Sequence, residues 1–550
     1  MTNKKNQNSF IKQAGILAVA GIICRLIGSL YRSPLAGIIG DEGNGYYSVA
    51  YNIYTIILLV SSYSIPSAIS KIIAQRLAVG EYKNARRIFL CSLFYVVAAG
   101  SIASLFTYFC AGLLVKTEAV PILRIFAPTI FLSGILGVFR GYYQARGTMV
   151  QTAISQVLEQ LINAAVSLIA AYFLMDMATG KGASVQAVYG ASGSALGTGA
   201  GVLTALVFML FIYLINRKST VKTLECSHDD NKQVLPYGNI LKIIINMVTP
   251  VILSTFIYNF NTTLNQSLYI QSMISKHNYT FKSASTYYGI FSGKAVVIAN
   301  IPIAIASAMS SAIIPELSAS FARGELKDTE QKITASIRSA LLIAIPSAIG
   351  IAALSKPIVR LLFNQAESIG LTVSLLRGLS LTIIFYALST ITNAVLQAIG
   401  QVKLPVINAA ASLALQTVIL LPLLLFTDLK LYSLLIAAFV YSMSMCVLNW
   451  ISIRKSLNRD FTLPFMKMFL TPSLIAVIMG ILTAIVYELC NKVFKKNSIS
   501  LMIAVVSGIL VYFIGIIKTG VLTKEEVEHF PLGDKLIRLS GKLKLLKIFQ

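Results

Sequence analysis

Charged residues are scarce in this chain, and those present are mostly basic. Only 12% of the 550 residues are Asp, Glu, Lys or Arg, whereas 56% are hydrophobic. Soluble domains carry charge on about 25% of their residues, so the composition excludes an ordinary soluble protein. Apolar runs of the roughly 20 residues that cross a bilayer recur along the chain, whereas the short alternating segments of a β-barrel do not. We therefore predict an all-α integral membrane protein.

Metal ligands and candidate catalytic groups are also few. The three histidines lie in polar connections, and the six cysteines are scattered without a C-x-x-C pair. Neither set has the spacing of a metal site, and the cysteines are interpreted as small buried hydrophobes. The longest polar connection, 217–237, is short for the catalytic loop of a membrane-embedded glycosyltransferase. We therefore expect a transporter rather than an enzyme, with no metal and no resident cofactor.

The formal net charge of +25 would suggest a nucleic-acid partner in a soluble protein. In a membrane protein, Lys and Arg instead collect in cytoplasmic loops. With the N-terminus inside, the inner segments hold about 28 basic residues and the outer loops about ten. We therefore predict cytoplasmic termini and no nucleic-acid partner. Because the apolar run continues past the A-x-A at Ala18 to Ala20, we also predict an uncleaved first helix rather than a signal peptide.

Fourteen transmembrane helices are predicted from the apolar runs. Their expected ranges are 10–38, 46–78, 88–114, 121–145, 150–175, 188–216, 238–270, 286–322, 332–354, 365–397, 404–427, 430–453, 466–490 and 498–518. Several are longer than a bilayer requires, and we expect these to tilt, bend or extend into water.

The two halves of the chain carry a repeated sequence. The segments "SAISKIIAQRLAVGE" (67–81) and "SAIIPELSASFARGE" (311–325) align with a shift of 244. The same shift pairs Gly45 with Gly289 and Ser48 with Ser292. These partners fall on the second and eighth helices, and an offset of six helices preserves orientation. The repeats are therefore parallel, related by an axis along the membrane normal.

The repeat predicts two six-helix lobes around a central cavity, followed by two further helices. We assign residues 1–216 to the N-lobe, 217–237 to a cytoplasmic linker, 238–457 to the C-lobe, 458–518 to the last two helices and 519–550 to a basic cytoplasmic tail. Rocking of the lobes, which gives alternating access, is the expected motion of such an architecture.

Two arginines occupy one face of the first helix. In "GIICRLIGSLYRSPL" (21–35), Arg25 and Arg32 are two turns apart, and Gly28 and Ser29 lie between them on that face. An arginine deep in a bilayer is expected to face a cavity or a partner, and a guanidinium fits phosphate oxygens well. We predict that these four residues bind an anionic substrate. The alternatives are a helix–helix salt bridge for Arg25 and snorkelling of Arg32 to the interface.

Other charged residues occur inside apolar spans. Lys294, in "GIFSGKAVVIANIP", lies on the repeat-related helix, so one cation from each lobe would hold an anion; a structural pair with Glu159 is the alternative. Glu159 shares a polar stripe with Gln156 and Asn163. We expect this carboxylate to neutralise an arginine or to carry a coupling proton or sodium ion.

Neutral side chains extend the predicted substrate site. Asn261 and Asn265 form a stripe on the seventh helix, suited to hydrogen bonds with sugar or with neighbouring helices. Tyr51 and Asn52 are further candidate substrate contacts, whereas Tyr47 is expected in the interfacial aromatic belt.

A cytoplasmic gate is predicted where the second helix ends. The candidate gate residues are Ser67, Lys71, Gly80 and Glu81, in the segments "SIPSAISK" and "GEYKNARR". A plain helix C-cap at Gly80 is the alternative interpretation.

The segments "CRLIGSLYR", "GDEGNGYYSVAYNIY" and "SIPSAISKIIAQRLAVGEYKNARR" resemble one family over roughly the whole chain. It is the multidrug/oligosaccharidyl-lipid/polysaccharide exporter superfamily, in the branch that contains bacterial lipid II flippases and stage V sporulation protein B. The resemblance implies a monomeric flippase of the bacterial plasma membrane, surrounded by membrane lipids. Its implied cargo is an undecaprenyl-pyrophosphate-linked precursor, with lipid II expected. Some lipid II flippases carry an arginine pair in the second helix, and "YTIILLVSSYSIPS" lacks it.

A cation-coupled multidrug exporter of the same superfamily is the alternative function. Such exporters take mostly organic cations, and their cavities usually carry acidic residues. In this chain, cations within the spans outnumber the single clear mid-span carboxylate, which favours an anionic cargo. Sodium, protons and the membrane potential all stay open as the driving force, and vegetative and sporulation roles both stay open.

Overall fold

A computed structural model describes residues 2–63, 65–225, 234–363, 365–457, 462–464 and 466–520. Nearly all of these residues are helical, and no strand occurs among them. The predicted all-α fold is therefore confirmed. Residues 226–233 of the linker and the tail from 521 onward lie outside the described residues, so the expectations for them stay predictions.

The helices are α1 Thr2–Leu58, α2 Ile65–Ala78, α3 Tyr82–Phe109, α4 Ala111–Leu114, α5 Val120–Ala145, α6 Met149–Met177, α7 Ala183–Glu225, α8 Tyr237–Ser275, α9 Phe281–Ile290, α10 Val296–Ala322, α11 Leu326–Ala353, α12 Ser355–Leu362, α13 Ala366–Ala398, α14 Lys403–Phe426, α15 Leu431–Ser456, α16 Thr471–Phe494 and α17 Asn497–Lys518. Three short π-helical segments adjoin them, at Leu59–Tyr63, Phe291–Ala295 and Met466–Leu470.

Twelve spans in the described part of the chain are long and apolar enough to cross a membrane. The first, Val19–Ser61, contains one predicted helix and the start of the next. The two are separated by a kink at Gly40, whose φ of 71° is a backbone conformation that favours glycine. Helix α8 is not among the twelve but matches the helix predicted at 238–270. Each of the fourteen predicted helices therefore has a counterpart.

Packing divides the chain into two compact units. The first comprises residues 1–297 and 418–434, and the second comprises 298–417 and 435–550. The predicted lobes, with limits at 216 and 238, stay a prediction that rests on the sequence repeat.

Small residues allow α6 and α7 to pack closely in the first unit. A Cβ atom added at Gly193, Gly197 or Gly201 of α7 would meet the backbone of α6. Close approach of this kind is how membrane helices gain van der Waals contact, because lipid provides no hydrophobic driving force between them. The contact fixes the face of α6 that carries Glu159.

The repeated sequence adopts a repeated turn. Gly80 and Gly324, related by the shift of 244, have φ angles of 73° and 75°. In both turns the following N–H, of Glu81 or Glu325, donates to the carbonyl five residues earlier, at 2.8 and 3.3 Å respectively. The repeat therefore relates local structure as well as sequence.

Candidate functional site

Lys294 forms a buried ion pair with Asp41 inside the first unit. Only 1% of the Lys294 side chain and 17% of the Asp41 side chain are exposed. Lys294 lies in the π-helical segment between α9 and α10, a geometry that is common at functional sites. The alternative pairing of Lys294 with Glu159 is wrong. Sequence analysis missed Asp41 because its motif was interpreted as a connection between helices.

The next residue of the motif makes a second ion pair. Glu42 Oε2 lies 3.0 Å from Lys282 Nζ, and the Tyr46 hydroxyl donates to Glu42 at 2.9 Å. Lys282 also donates to Ser184 Oγ at 2.7 Å. Both acidic residues that follow the α1 kink therefore form ion pairs with lysines, one in α9 and one in the π-helical segment that follows it.

Helices α1 and α9 contact each other through repeat-related residues. A Cβ atom added at Gly45 would overlap the backbone of Ser285, and one at Gly289 would overlap the backbone of Gly45. The Ser292 hydroxyl donates to the Ser48 hydroxyl at 3.0 Å. Gly45 and Ser48 thus contact the residues that the shift of 244 pairs with them.

The predicted arginine face of α1 lies near α6 and an aromatic ring. Arg25 is exposed, whereas Arg32 is half-buried, with its guanidinium carbon 5.8 Å from the centre of the Tyr51 ring. A Cβ atom added at Gly28 would lie 3.8 Å from Gln160 Oε1 of α6. This arrangement differs from snorkelling because the Arg32 head lies over an aromatic face.

Four aromatic rings form a cluster beside Arg32. The Tyr51 ring centre lies 5.5 Å from that of Tyr47, 5.8 Å from that of Tyr54 and 5.9 Å from that of Phe126. Tyr47 is 7% exposed, so its expected place in the interfacial belt is wrong. Tyr51 is half-buried and is the ring of the cluster that Arg32 approaches.

Helix α8 brings amide side chains to α1. The Asn52 amide donates to Gln266 Oε1, and the Thr263 hydroxyl donates to the Asn52 carbonyl at 3.5 Å. Also on α8, the Asn265 amide donates to Asn261 Oδ1 at 3.1 Å. The predicted substrate contacts Asn52, Asn261 and Asn265 thus lie on these two neighbouring helices.

Glu159 pairs with Arg140. The carboxylate accepts from the Arg140 guanidinium at 2.7 Å, and Arg140 Nε donates to Ser155 Oγ at 2.9 Å. The side chains are 22% and 14% exposed respectively. Arg140 is one of the basic residues included in the predicted inner count of about 28. It lies within α5 and neutralises this carboxylate, as expected for Glu159.

The rest of the α6 stripe faces another neighbour. Asn163 is buried and its Oδ1 accepts from Ser167 at 3.0 Å and from Thr198 of α7 at 3.5 Å. Gln156 is half-buried. The stripe therefore contributes to helix packing at Asn163 and to an ion pair at Glu159.

Glu81 ties the end of α2 to the start of α3. It accepts from Arg76 at 3.0 Å and from the Asn84 amide at 2.9 Å, and Gly80 provides the left-handed residue of the turn. Lys71 is exposed. The side chains of two further predicted residues, Ser29 and Ser67, lie outside the described part of the structure.

The same turn holds the backbone at the end of the 217–237 linker. Asn84 Oδ1 accepts from the Leu235 N–H at 3.0 Å, and Arg87 donates to the Leu235 carbonyl at 3.0 Å. The Arg87 guanidinium also lies 4.8 Å from the centre of the Tyr237 ring. Sequence analysis did not identify this clamp, because nothing local indicates a partner so distant in the chain.

In the second unit, the repeat-related turn carries its own ion pair. Arg323 donates to both carboxylate oxygens of Glu325, at 2.9 and 2.8 Å. These hydrogen bonds lower the pKa of the Glu325 carboxyl. The partner of the glutamate thus differs between the repeats, although the turn is the same.

Residues 86–506, well over half of the chain, match the family model described as "Lipid II flippase MurJ". The chain belongs to the MurJ lipid II flippase family. It is 24% identical over 428 residues to the lipid II flippase MurJ of Bacillus subtilis (strain 168), covering 74% of this chain and 76% of the relative. It is 23% identical over 543 residues to stage V sporulation protein B of the same organism, covering 96% and 99%.

Solved structures of two kinds share the fold. The lipid II flippase MurJ in an inward closed conformation gives a TM-score of 0.65 at 16% identity, covering 91% of this chain and 97% of that chain. A MATE family multidrug transporter of the MOP superfamily, in an inward-facing conformation, gives 0.62 at 16% identity, covering 82% and 100%. At these identities the likeness establishes the fold. The resemblance to lipid II flippases and stage V sporulation protein B that the motifs indicated is confirmed by the family model and the two relatives.

Proposed function

We propose that this MurJ-family protein is a flippase that moves an undecaprenyl-pyrophosphate-linked precursor, with lipid II as the favoured cargo, across the bacterial plasma membrane. The family supports a membrane transporter of lipid-linked substrates. The observation that carries the cargo class is the sign of the charge on one face of helix α1 of the first unit, where Arg25 and Arg32 lie, whereas Lys294 beside that helix is paired with Asp41. Such cations suit a pyrophosphate and oppose the organic cations of the alternative exporter.

In this proposal the arginine face of α1 receives the pyrophosphate. The planar guanidinium of Arg32 is already oriented by the Tyr51 ring, so less side-chain entropy is lost when it binds phosphate oxygens. Arg25 supplies a second charge two turns away, and Gly28 leaves room beside it. Tyr51 offers a ring face to a sugar, and Asn52, Asn261 and Asn265 offer amide hydrogen bonds.

Lys294 is assigned a role as an exchangeable partner. Asp41 neutralises it while no cargo is bound, and a cargo phosphate replaces Asp41 during transport. A buried lysine left without an anion would be strongly destabilising, so exchange of one anion for another keeps the barrier low. Glu159 stays the candidate for a coupling proton or sodium ion, which requires its release from Arg140.

The proposal includes cytoplasmic termini, a monomer, and a gate at the turn of Gly80 and Glu81. The excess of basic residues in the predicted inner segments supports this orientation. The bond network from Arg76 through Glu81 and Asn84 to Leu235 supports a gate, because it links the end of α2 to the start of α8.

The test is a proteoliposome assay that follows movement of fluorescent lipid II between leaflets. Arg25→Ala should reduce the rate at least about tenfold, the equivalent of one lost charged contact. The matched control is Arg124→Ala, because Arg124 is also an exposed helix arginine and should be dispensable. Wild-type rates in Arg25→Ala would refute the site assignment. Efflux of a cationic dye without movement of lipid II would instead support a multidrug exporter.

A further inference from the structure

The ion pair of Arg140 and Glu159 lies beside the arginine face of α1. A Cβ atom added at Gly28 of α1 would lie 3.8 Å from the side-chain oxygen of Gln160, the residue after Glu159. The Cys24 thiol, one helical turn before Gly28, lies within electrostatic range of both Arg140 and Glu159. The ion pair and the α1 face of the proposed cargo site are therefore neighbours within the first unit.

The depth of this ion pair matches that of the α1 arginines. In the predicted orientation α6 begins on the cytoplasmic side, and Glu159 lies about 15 Å along it, near the middle of the roughly 30 Å hydrocarbon core. Gly28, which adjoins α6 at this level, lies between Arg25 and Arg32 on the same helix face. The Arg140 side chain therefore ends at the level at which the two α1 arginines would hold a phosphate.

Arg140 has donors that its ion pair does not use. A guanidinium has five N–H groups. Nε donates to Ser155 Oγ, and Nη2 donates to one carboxylate oxygen of Glu159. Within the part of the chain that the structure describes, no atom accepts a hydrogen bond from Nη1. Ser155 therefore orients the guanidinium while one of its edges stays available to a second anion.

A cargo phosphate bound to Arg140 would compete with Glu159 for the same positive charge. The carboxylate is mostly buried, and an ionised carboxylate that loses its cation in such a place is strongly disfavoured. Uptake of a proton makes the carboxyl group neutral and leaves the charge of Arg140 unchanged. Exchange of the carboxylate for a phosphate is therefore linked to protonation of Glu159.

The other groups that face Glu159 cannot replace Arg140. From α1 these are the Cys24 thiol and the Tyr54 phenol, which are neutral at physiological pH. Helix α7 approaches through Gly201, which has no side chain. The described residues contain no group of three His, Cys, Asp or Glu side chains that could hold a metal ion. A lone carboxylate of this kind suits a proton better than a cation that requires several oxygen ligands.

We propose that Arg140 is a third cargo-binding cation, which Glu159 releases to a phosphate of the cargo as its carboxylate takes up a proton from water. This inference rests on the proposed function and assigns the coupling role of Glu159 to a proton. Cargo and proton then raise each other's affinity by the same factor. When the cargo leaves, the carboxyl group returns its proton to water and pairs with Arg140 again.

The experiment measures binding of fluorescent lipid II to the purified full-length protein at about pH 5.5 and about pH 8, with and without sodium. The pyrophosphate of lipid II is esterified at both ends and keeps its charge over this range, so a pH effect belongs to the protein. Binding should be about tenfold tighter at the lower pH, the effect of one added charged contact. Calorimetry in buffers of different ionisation enthalpy should show net proton uptake on binding.

Matched variants separate the two members of the pair. Glu159→Gln mimics the protonated carboxyl group and should bind lipid II at both pH values as tightly as the wild type does at the lower pH. Arg140→Gln should bind weakly at both. The double variant Arg140→Gln/Glu159→Gln leaves no lone buried charge and should behave like Arg140→Gln, which controls for misfolding. Arg146→Gln, at an exposed arginine that ends the same helix, should keep the wild-type pH dependence.

The outcomes distinguish this inference from the proposed function. Equal wild-type binding at both pH values, or a pH dependence that survives in Glu159→Gln, would overturn the inference alone. A dependence on sodium in place of pH would also overturn it, because Glu159 would then bind a metal ion. Absence of lipid II binding at every pH would overturn the proposed function together with the inference.

Discussion

The carboxylate of Asp41 neutralises the ammonium group of Lys294 in the interior of the first unit. A kink at Gly40 brings the acid to this point, and a π-helical turn brings the base. Each of these two local irregularities of the helices therefore positions one residue of the ion pair. A buried pair of this kind is weak evidence for stability but a suitable basis for a switch, because removal of either partner leaves the other charge exposed to a low dielectric.

Removal of one charge of this pair should be much more damaging than removal of both. We expect Lys294→Gln to destabilise the protein by about 3–5 kcal/mol, and Asp41→Asn/Lys294→Gln to recover much of that loss. Thermal unfolding in detergent measures both. The half-exposed pair of Glu42 and Lys282 is the control, and Lys282→Gln should cost less than about 1 kcal/mol. Equal effects of Lys294→Gln and Lys282→Gln would contradict the importance of burial.

Gly45→Ala should disrupt the contact between α1 and α9. The added methyl group would overlap the Ser285 backbone, and overpacking of this kind costs about 1–3 kcal/mol. Gly37→Ala is the control on the same helix, because nothing lies within 4 Å of a Cβ atom there. The yield of monodisperse protein and its melting temperature should fall for position 45 alone. A Gly45→Ala variant as stable as Gly37→Ala would show that the helices can separate easily.

Variants of Arg140 and Glu159 can distinguish a structural role of the Glu159 carboxylate from a role in ion coupling. Glu159→Gln leaves Arg140 without its anion and should slow transport whichever role applies. The double variant Arg140→Gln/Glu159→Gln decides between them. Restored transport would show that the carboxylate only neutralises the arginine. Continued loss, together with loss of the pH or sodium dependence of transport, is the result that our coupling proposal predicts.

Arg87 should matter more than its neighbour Arg86. Arg87 donates to the Leu235 carbonyl and covers the Tyr237 ring, whereas Arg86 is exposed. We expect Arg87→Ala to lower stability by about 1.5–3 kcal/mol, the usual effect of a lost charged hydrogen bond, and Arg86→Ala to have little effect. Hydrogen exchange at the Leu235 amide reports the clamp directly. Unchanged hydrogen exchange at the Leu235 amide in Arg87→Ala would show that the Arg87 contact is not part of the proposed gate.

The surface pair of Arg323 and Glu325 predicts the direction in which folding stability changes with pH. Hydrogen bonds from Arg323 lower the pKa of the Glu325 carboxyl in the folded protein, so the ionised form is favoured by folding. The stabilisation is present above the usual carboxyl pKa of about 4.3 and is lost as the pH falls through the lowered value. A carbon-13 titration of Glu325 should therefore show a higher pKa in Arg323→Gln. No change in that titration would mean that the pair is not formed in solution.

The sequence alone was sufficient to predict where the helices lie, because apolar runs and turn residues are local signals. It was insufficient to predict which residues pair with the buried charges. Lys294 was identified as a cation inside a span, but no local pattern distinguishes Asp41 from Glu159 as its partner. Arg140 illustrates a related difficulty, because a residue near a predicted helix end can belong to a loop or to the interior.

An apolar cavity in the second unit is the clearest example of information that the sequence does not display. Its walls come from five helices, and their Ile, Leu and Val side chains are the same types that face lipid elsewhere. Only the packed helices distinguish a residue that lines a cavity from one that lies on the outer surface.

The contacts of Gly45 with Gly289 and of Ser48 with Ser292 have an evolutionary consequence. In a symmetric dimer of identical chains, a residue on the twofold axis meets its own copy. An ancestral protein of half this length, pairing through one glycine and one serine, would have brought the same two contacts together. After such a fusion each copy could change separately, yet the backbone contact of Gly45 and the hydrogen bond of Ser48 would still limit what their partners can become.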